Sequence, residues 1–237
     1  MLKAVFFDLD GTLLPMDEKR FLEIYFGTMG QWMTEQGKNA ETFIGGVIAG
    51  TRAMYKNDGG MTNEEIFWKS FEPVYGPVSE EDKRIMDEYY DDRFKTTLAA
   101  CGHNTEAKKI VKFCHDRGLK VALATNPLFP RIATLTRMGH TDLCEADFDY
   151  VTAYENSSYT KPNPAYFTDL LEKLGLTADE VIHFGNNTFE DGECSLGAGI
   201  KCYIIETKDL IESDKATHDF ERIKMDEVIP TIEKHLA

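Results

Sequence analysis

Two carboxylates stand two residues apart in Phe7-Asp8-Leu9-Asp10-Gly11-Thr12, directly after an apolar run near the start of the chain. Both can face one bound cation while the glycine lets the chain turn away, and without a cation their like charges repel. Alone, the same residues describe a turn with solvated aspartates. Three more polar sets follow later. Thr125-Asn126 offers a hydroxyl, an amide and free backbone N–H groups; Lys161, in Tyr159-Thr160-Lys161-Pro162-Asn163-Pro164, offers a cation; Gly185-Asn186-Asn187-Thr188-Phe189-Glu190-Asp191 offers an amide and two acids. Each by itself is ordinarily a polar turn, a solvated lysine or a helix cap.

What joins them is the element that precedes each. Leu2–Asp8, Lys120–Ala124, Phe148–Thr152, Val181–Gly185 and Lys201–Ile205 are short apolar runs bounded by polar or glycine-containing turns, the pattern of strands buried on both faces of a parallel sheet. Helical stretches alternate with them. Thr105–Arg117 places Ala107, Ile110, Val111 and Cys114 on one face and stops before Gly118; Pro164–Leu174 stops before Gly175. The alternation over 97–237 predicts a doubly wound α/β sheet, in which ligands sit beyond the carboxyl ends of the strands. All four polar sets fall at such ends. Lys161 also precedes a helix start, where the helix N-terminus reinforces attraction for phosphate.

Residues 16–96 contain no strand-like run. Four amphipathic stripes follow one another there: Leu22, Tyr25, Phe26, Met29, Trp32 and Met33; Phe43, Ile44, Val47, Ile48 and Thr51; Ile66, Phe67 and Phe71, opened by Thr62 with Glu65 three residues on; and Ile85, Met86, Tyr89, Tyr90 and Phe94. They read as core faces of an all-helical insertion. Gly45-Gly46 and Gly59-Gly60 read as packing and turn glycines, since neither pair follows a strand and opens a helix.

In this order the four sets resemble the motifs of the haloacid dehalogenase superfamily of hydrolases. Asp8-Leu9-Asp10-Gly11-Thr12 is similar to its DxDGT signature, Thr125 to the second-motif hydroxyl, Lys161 to the third-motif lysine, and Gly185–Asp191 to the acidic fourth motif. The resemblance covers the whole chain and implies a Rossmann-like core over 1–15 and 97–237, with a type 1 (C1) helical cap over 16–96. It implies that Asp8 attacks phosphorus to give an aspartyl-phosphate, and that Asp10 protonates the leaving oxygen and then activates water. Family members that cleave carbon–halogen bonds lack this second Asp, so Asp10 favours phosphate chemistry. Thr125, Asn126 and Lys161 would hold the phosphoryl oxygens. Mg²⁺ would be the cofactor, with Asp8, Asp10 through its backbone carbonyl, Asn186 and Asp191 as candidate ligands. The family's residue after the fourth-motif glycine is Asp. Here it is Asn186, which adds no charge, and Asp191 either ligates the metal or orients a metal water or Lys161.

The resemblance thus implies Mg²⁺-dependent hydrolysis of a small phosphorylated metabolite. Two alternatives stay open: a phosphosugar mutase using the same intermediate, and a phosphoryl-ligand binding or regulatory protein with weak turnover. Phosphonate cleavage would need a cap lysine, and Lys19, Lys38 and Lys56 are available; Arg20, Arg52 and Lys56 are candidates for meeting a second anionic group. The balance of the chain sets outer bounds. In 237 residues, 42% are hydrophobic and 11% aromatic, enough to bury a core. A net charge of −15 and a pI near 4.8, with no cluster of Lys and Arg, argue against nucleic acid and anionic membrane surfaces as partners. No run approaches the length of a membrane span, and five scattered cysteines without CxxC signal neither a disulfide framework nor zinc. The expected location is cytoplasmic, and the oligomeric state is left open.

Overall fold

A computed structural model describes residues 1–236. Its centre is a six-stranded parallel sheet in the order β3-β2-β1-β4-β5-β6, formed by β1 (Ala4–Phe7), β2 (Lys120–Leu123), β3 (Tyr150–Val151), β4 (Val181–Gly185), β5 (Lys201–Ile205) and β6 (Glu221–Ile223). The helices packed around it are α5 (Ala107–Asp116), α6 (Arg131–Gly139), α7 (Ala165–Leu174), the single turn α8 (Cys194–Gly197) and α9 (Val228–Leu236). This is the doubly wound Rossmann-like α/β fold expected from the alternation. The chain leaves β1 toward β2 and β3 on one side, then returns to pair β4 on the other, so the sheet switches direction beside β1.

Register follows from burial. Ala4 to Phe7 are all buried, which selects the near-continuous apolar sequence and forces its backbone groups into ladders on both sides. Phe7 lies level with Leu123 on β2 and Phe184 on β4. Asp8 N–H donates to the Phe184 carbonyl at 2.9 Å and Ala124 N–H to the Phe7 carbonyl at 2.7 Å, so the three strands end on one line.

Between β1 and β2 stand α1 (Glu18–Glu35), α2 (Ala40–Met54), α3 (Asn63–Tyr75) and α4 (Glu80–Asp91), followed by a 3₁₀ segment over Arg93–Ala100. Each helix start is set by a side chain that satisfies an orphan N–H: Asp17, Asn39, Thr62 and Ser79. Thr62 and Glu65 form the reciprocal capping box that their spacing predicts. Helices α2 and α3 pack at close range because Gly46 and Gly50 face the rings of Phe71 and Phe67; a Cβ at Gly46 would stand 2.7 Å from the Phe71 ring. Where the chain enters and leaves this helical part, it pairs with itself. Asp17 N–H donates to the Ala100 carbonyl at 3.0 Å and Gly102 N–H to the Pro15 carbonyl at 2.7 Å.

Several elements differ from expectation. The third strand is confined to Tyr150–Val151, with one backbone bond beyond each end, Asp149 N–H to the Val121 carbonyl and Thr152 N–H to the Leu123 carbonyl, and with side-chain bonds from Asp149 and Thr152 added at the same places. Strand β6 and helices α6 and α9 are additions that the sequence reading did not make. β6 is a polar edge strand with only Ile223 buried, so it carries no apolar run to find. In the helical part, Leu22 and Ile48 are exposed, and the buried face of α1 is Phe21, Tyr25, Met29 and Met33. No described helix is long and apolar enough to cross a membrane.

Candidate active site

The end of β1 delivers Asp8 into a buried position, 6% exposed, where its Oδ1 meets the Lys161 ammonium at 2.8 Å. Lys161 is itself 1% exposed and reaches Asp191 Oδ1 at 2.6 Å. The lysine expected at the surface as an isolated residue is therefore clamped between two buried carboxylates. Burial opposes its charge, yet Asp191 and Asp8 raise its pKa well above the ordinary lysine value, so it stays an ammonium. The Asp8 pKa is raised as well, here by burial, with Lys161 opposing and Asp191 and Asp10 adding to the rise.

Asp191 uses both oxygens within the protein. Oδ1 meets Lys161 and, at 3.0 Å, His183 Nε2; Oδ2 accepts from the backbone N–H groups of Asn186 and Asn187, each at 3.0 Å. Although burial would raise its pKa, Lys161 and His183 hold it well below the usual carboxylate range. The loop after β4 is thereby folded around the carboxylate, and a π-helical turn over Thr188–Glu193 carries Asp191 back beneath it. Asn186 turns its amide elsewhere. Its Nδ2 donates to the Asp209 carbonyl at 2.6 Å, and its Oδ1 accepts from the Thr12 hydroxyl at 3.4 Å. The same hydroxyl reaches Asp8 Oδ2 at 3.5 Å, so an Asp8 oxygen and the Asn186 oxygen converge. Gly11, with φ of +80°, passes so close that a Cβ there would collide with Asn186.

Asp10 is set apart from this cluster. Its Oδ1 lies 3.2 Å from Arg137 Nε, and Arg137 is 1% exposed, with its guanidinium 4.6 Å from the centre of the Phe129 ring. Burial raises the Asp10 pKa, while Arg137 and Lys161 pull it down. From the end of β2, Thr125 is buried with its carbonyl accepting from Thr152 and Tyr166, which fixes the loop. Asn126 Nδ2 donates to Glu190 at 2.9 Å and to the Lys161 carbonyl at 3.3 Å, tying the loops after β2 and β4 and the Lys161 loop together.

All seven sequence-predicted positions, Asp8, Asp10, Thr125, Asn126, Lys161, Asn186 and Asp191, line one cavity of about 730 Å³. His183 and Arg137 are additional, and the sequence reading missed both. A histidine inside the apolar run Val181–Gly185 was the available signal, because a ring buried on both sides of a sheet needs a polar partner. Arg137 gave none, since its helix was not foreseen.

The opposite wall of the cavity comes from α1, α2, α3 and α4, with Phe21, Tyr25, Phe26, Val47, Phe67 and Tyr90 among its residues. Part of the stripes read as plain core thus faces a cavity. None of Lys19, Arg20, Lys38, Arg52 or Lys56 lines it; Lys38 is instead paired with Asp82 at 2.8 Å.

This fold, with its strand-end acids and lysine, defines a hydrolase class, and the comparisons agree. The chain belongs to the haloacid dehalogenase-like hydrolase family, whose model matches residues 2–192. Haloacid dehalogenase-like hydrolase domain-containing protein 3 from Danio rerio is 24% identical over 153 residues, covering 62% of this chain and 60% of that protein. The match therefore spans about three-fifths of the length of this curated relative. Among solved structures, 2-haloacid dehalogenase from Pseudomonas syringae pv. Tomato superposes with a TM-score of 0.63 at 17% identity over 100% of both chains. CbbY from Rhodobacter sphaeroides, in complex with phosphate, gives 0.61 at 15% identity over 96% of both. At such identities the likeness is one of fold.

Proposed function

We propose that this protein hydrolyses a phosphomonoester through an aspartyl-phosphate on Asp8. The observation that carries the reading is the buried Asp8–Lys161–Asp191 cluster at the sheet's switch point, with Asp10 held separately by Arg137. A carboxylate nucleophile needs a cation beside the group it attacks, and an acid–base residue needs a different environment from the nucleophile. Lys161 beside Asp8 supports the first, and Arg137, aided by Lys161, gives Asp10 its own surroundings.

In the first step a carboxylate oxygen of Asp8 bonds to phosphorus, the ester P–O bond breaks, and Asp10 gives its proton to the departing alcohol oxygen. In the second, Asp10 takes a proton from water as that water attacks the aspartyl-phosphate, releasing inorganic phosphate and freeing Asp8. Lys161, the Thr125 hydroxyl and the Asn126 backbone N–H hold the phosphoryl oxygens. Asp191 positions Lys161 and shapes the loop after β4, since its oxygens are already engaged. Residues 16–96 act as the cap over a core of 1–15 and 97–237, joined at the paired crossings near Pro15 and Gly102.

The donors at the convergence of Asp8 and Asn186 are oxygens only, a set that suits Mg²⁺. Asp8, Asn186 and the Asp10 carbonyl would hold the ion, with one fewer charge than an Asp at position 186 would supply. When bound, Mg²⁺ offsets negative charge on the phosphoryl oxygens. The proposed substrate is a small phosphorylated compound, and the proposed location is the cytoplasm.

The test is phosphate release from a panel of phosphomonoesters, with and without Mg²⁺, by the wild type beside Asp8→Asn. Metal-dependent release that falls by about 10⁴-fold or more in the variant is expected for loss of a covalent nucleophile. Equal release by both proteins would remove Asp8 from the chemistry; phosphate binding without release would favour a binding protein.

A further inference from the structure

The wall facing the candidate catalytic groups is short of cations and rich in aromatic surface. Of the residues lining the cavity, seven are acidic (Asp8, Asp10, Asp17, Glu18, Glu190, Asp191 and Asp209) and two are lysines, Lys161 and Lys208. Lys161 is committed to Asp8 and Asp191, and Lys208 is exposed. Arg20, Arg52, Lys19 and Lys56 are exposed away from the cavity. A second phosphate or a carboxylate on the substrate would therefore lose its water among acids, with only the exposed Lys208 as a counter-cation.

Glu18, Thr51 and Tyr55 can meet a hydroxyl, but the part of this wall around Tyr25 and Tyr90 offers little to a sugar. The hydroxyls of Tyr25 and Tyr90 satisfy each other at 2.8 Å, and around them stand Phe26, Val47, Phe67 and Met86, which offer no hydrogen bond. A hydroxyl pressed against those side chains stays unpaired, whereas a methylene or ring gains contact. At about 730 Å³ the cavity leaves room for a bulky group beyond the phosphoryl site.

We propose that the substrate is the phosphate monoester of a bulky apolar or aromatic alcohol carrying no second anionic group. This rests on the phosphomonoesterase reading above and gives that site its substrate class. Hydrolysis breaks the P–O ester bond, sends the alcohol out with the proton from Asp10, and leaves phosphate after water has cleaved the Asp8 intermediate. A mutase cycle is disfavoured on the same ground, because its bisphosphate intermediate needs a second anion site.

The experiment compares kcat/KM for 2-phenylethyl phosphate, glucose 6-phosphate and fructose 1,6-bisphosphate at saturating Mg²⁺, with acetyl phosphate as a small phosphoryl donor. The first two are esters of primary alcohols, so intrinsic reactivity is closely matched. The expected result is a preference for 2-phenylethyl phosphate over glucose 6-phosphate of about a hundredfold, the scale set by a few methylene-sized contacts. The bisphosphate should be poorer still. Phe26→Ala, at a half-buried position, should shrink the preference about tenfold. Asp8-dependent turnover of acetyl phosphate combined with equal or better use of glucose 6-phosphate overturns this proposal and leaves the phosphatase reading standing. Absence of turnover for every donor overturns both.

Discussion

The two walls of the cavity are built on opposite principles. The strand-end wall is polar and over-determined: Lys161, Asp191, His183 and the backbone N–H groups of Asn186 and Asn187 each constrain the same few atoms. The helical wall is apolar and held by packing, with Phe21, Tyr25, Phe94 and Phe129 meeting ring to edge at 5.4–6.0 Å. Reaction type can be read from the first wall because hydrogen bonds and ion pairs have direction. The second is proposed to choose the substrate, and there a face is set by shape and by the lack of cations.

The severest test of the contrast is Lys161→Met. Without the ammonium, Asp8 and Asp191 are left as buried carboxylates with no cation between them, and removing one partner of a buried pair costs about 3–5 kcal/mol. Turnover should fall by about 10³-fold, because the group proposed to face the phosphoryl oxygens is gone. Thermal unfolding beside activity checks both effects. The stability gap should narrow on acidification. The variant's Asp8 has a raised folded-state pKa, so its stability is present at low pH and lost as pH rises. A variant that melts with the wild type at pH 7 would break the picture of a wall held by buried charge.

Arg137→Gln probes the same wall from behind. Arg137 and Lys161 are the cations that pull the Asp10 pKa down against burial, so losing Arg137 should move that pKa further up. If Asp10 serves as base in phosphoenzyme breakdown, the ascending limb of the pH–rate profile shifts to higher pH. Turnover at neutral pH should drop by about tenfold to a hundredfold, within the range of one misplaced general base. An unmoved limb with reduced stability would assign Arg137 to packing against Phe129 alone.

Much of the strand-end wall was legible because a parallel sheet sends all its strand ends to one edge. Asp8, Thr125, Lys161 and Asn186 needed only their order after apolar runs to be brought together. Part of what escaped reached the site from inside an element. His183 lies within a strand and Arg137 within a helix, so neither belonged to a loop whose composition announces chemistry. The helical wall was legible as periodicity and no further. A 3.6-residue stripe says that Tyr25 and Phe67 point inward, but not that a cavity lies opposite. The lack of a cation on the helical wall is equally invisible, since Arg20 and Arg52 are distinguished only by where their helix faces turn.

The smallest effect concerns what holds the helical wall in place. Asp82, in the first turn of α4, accepts from Tyr75 of α3 at 2.6 Å and pairs with Lys38 of the α1–α2 turn at 2.8 Å. It also caps Ser79, so one carboxylate joins three segments behind the cavity. Burial would raise its pKa, but Lys38, Ser79 and Tyr75 hold it well below the ordinary value of 3.8. A depressed folded-state pKa contributes stability that is complete above the unfolded value and is lost as pH falls through 3.8 toward the folded one. Asp82→Asn should therefore cost about 1 kcal/mol at pH 7, a drop of about 2–4 °C in Tm, and less at pH 3. Thermal melts of both proteins at the two pH values supply the check. Because Asp82 touches no catalytic group, kcat on a small donor should stay as in the wild type. A variant that loses turnover while keeping its Tm would mean that the two walls are not independent, and that the helical wall takes part in chemistry assigned here to the strand ends.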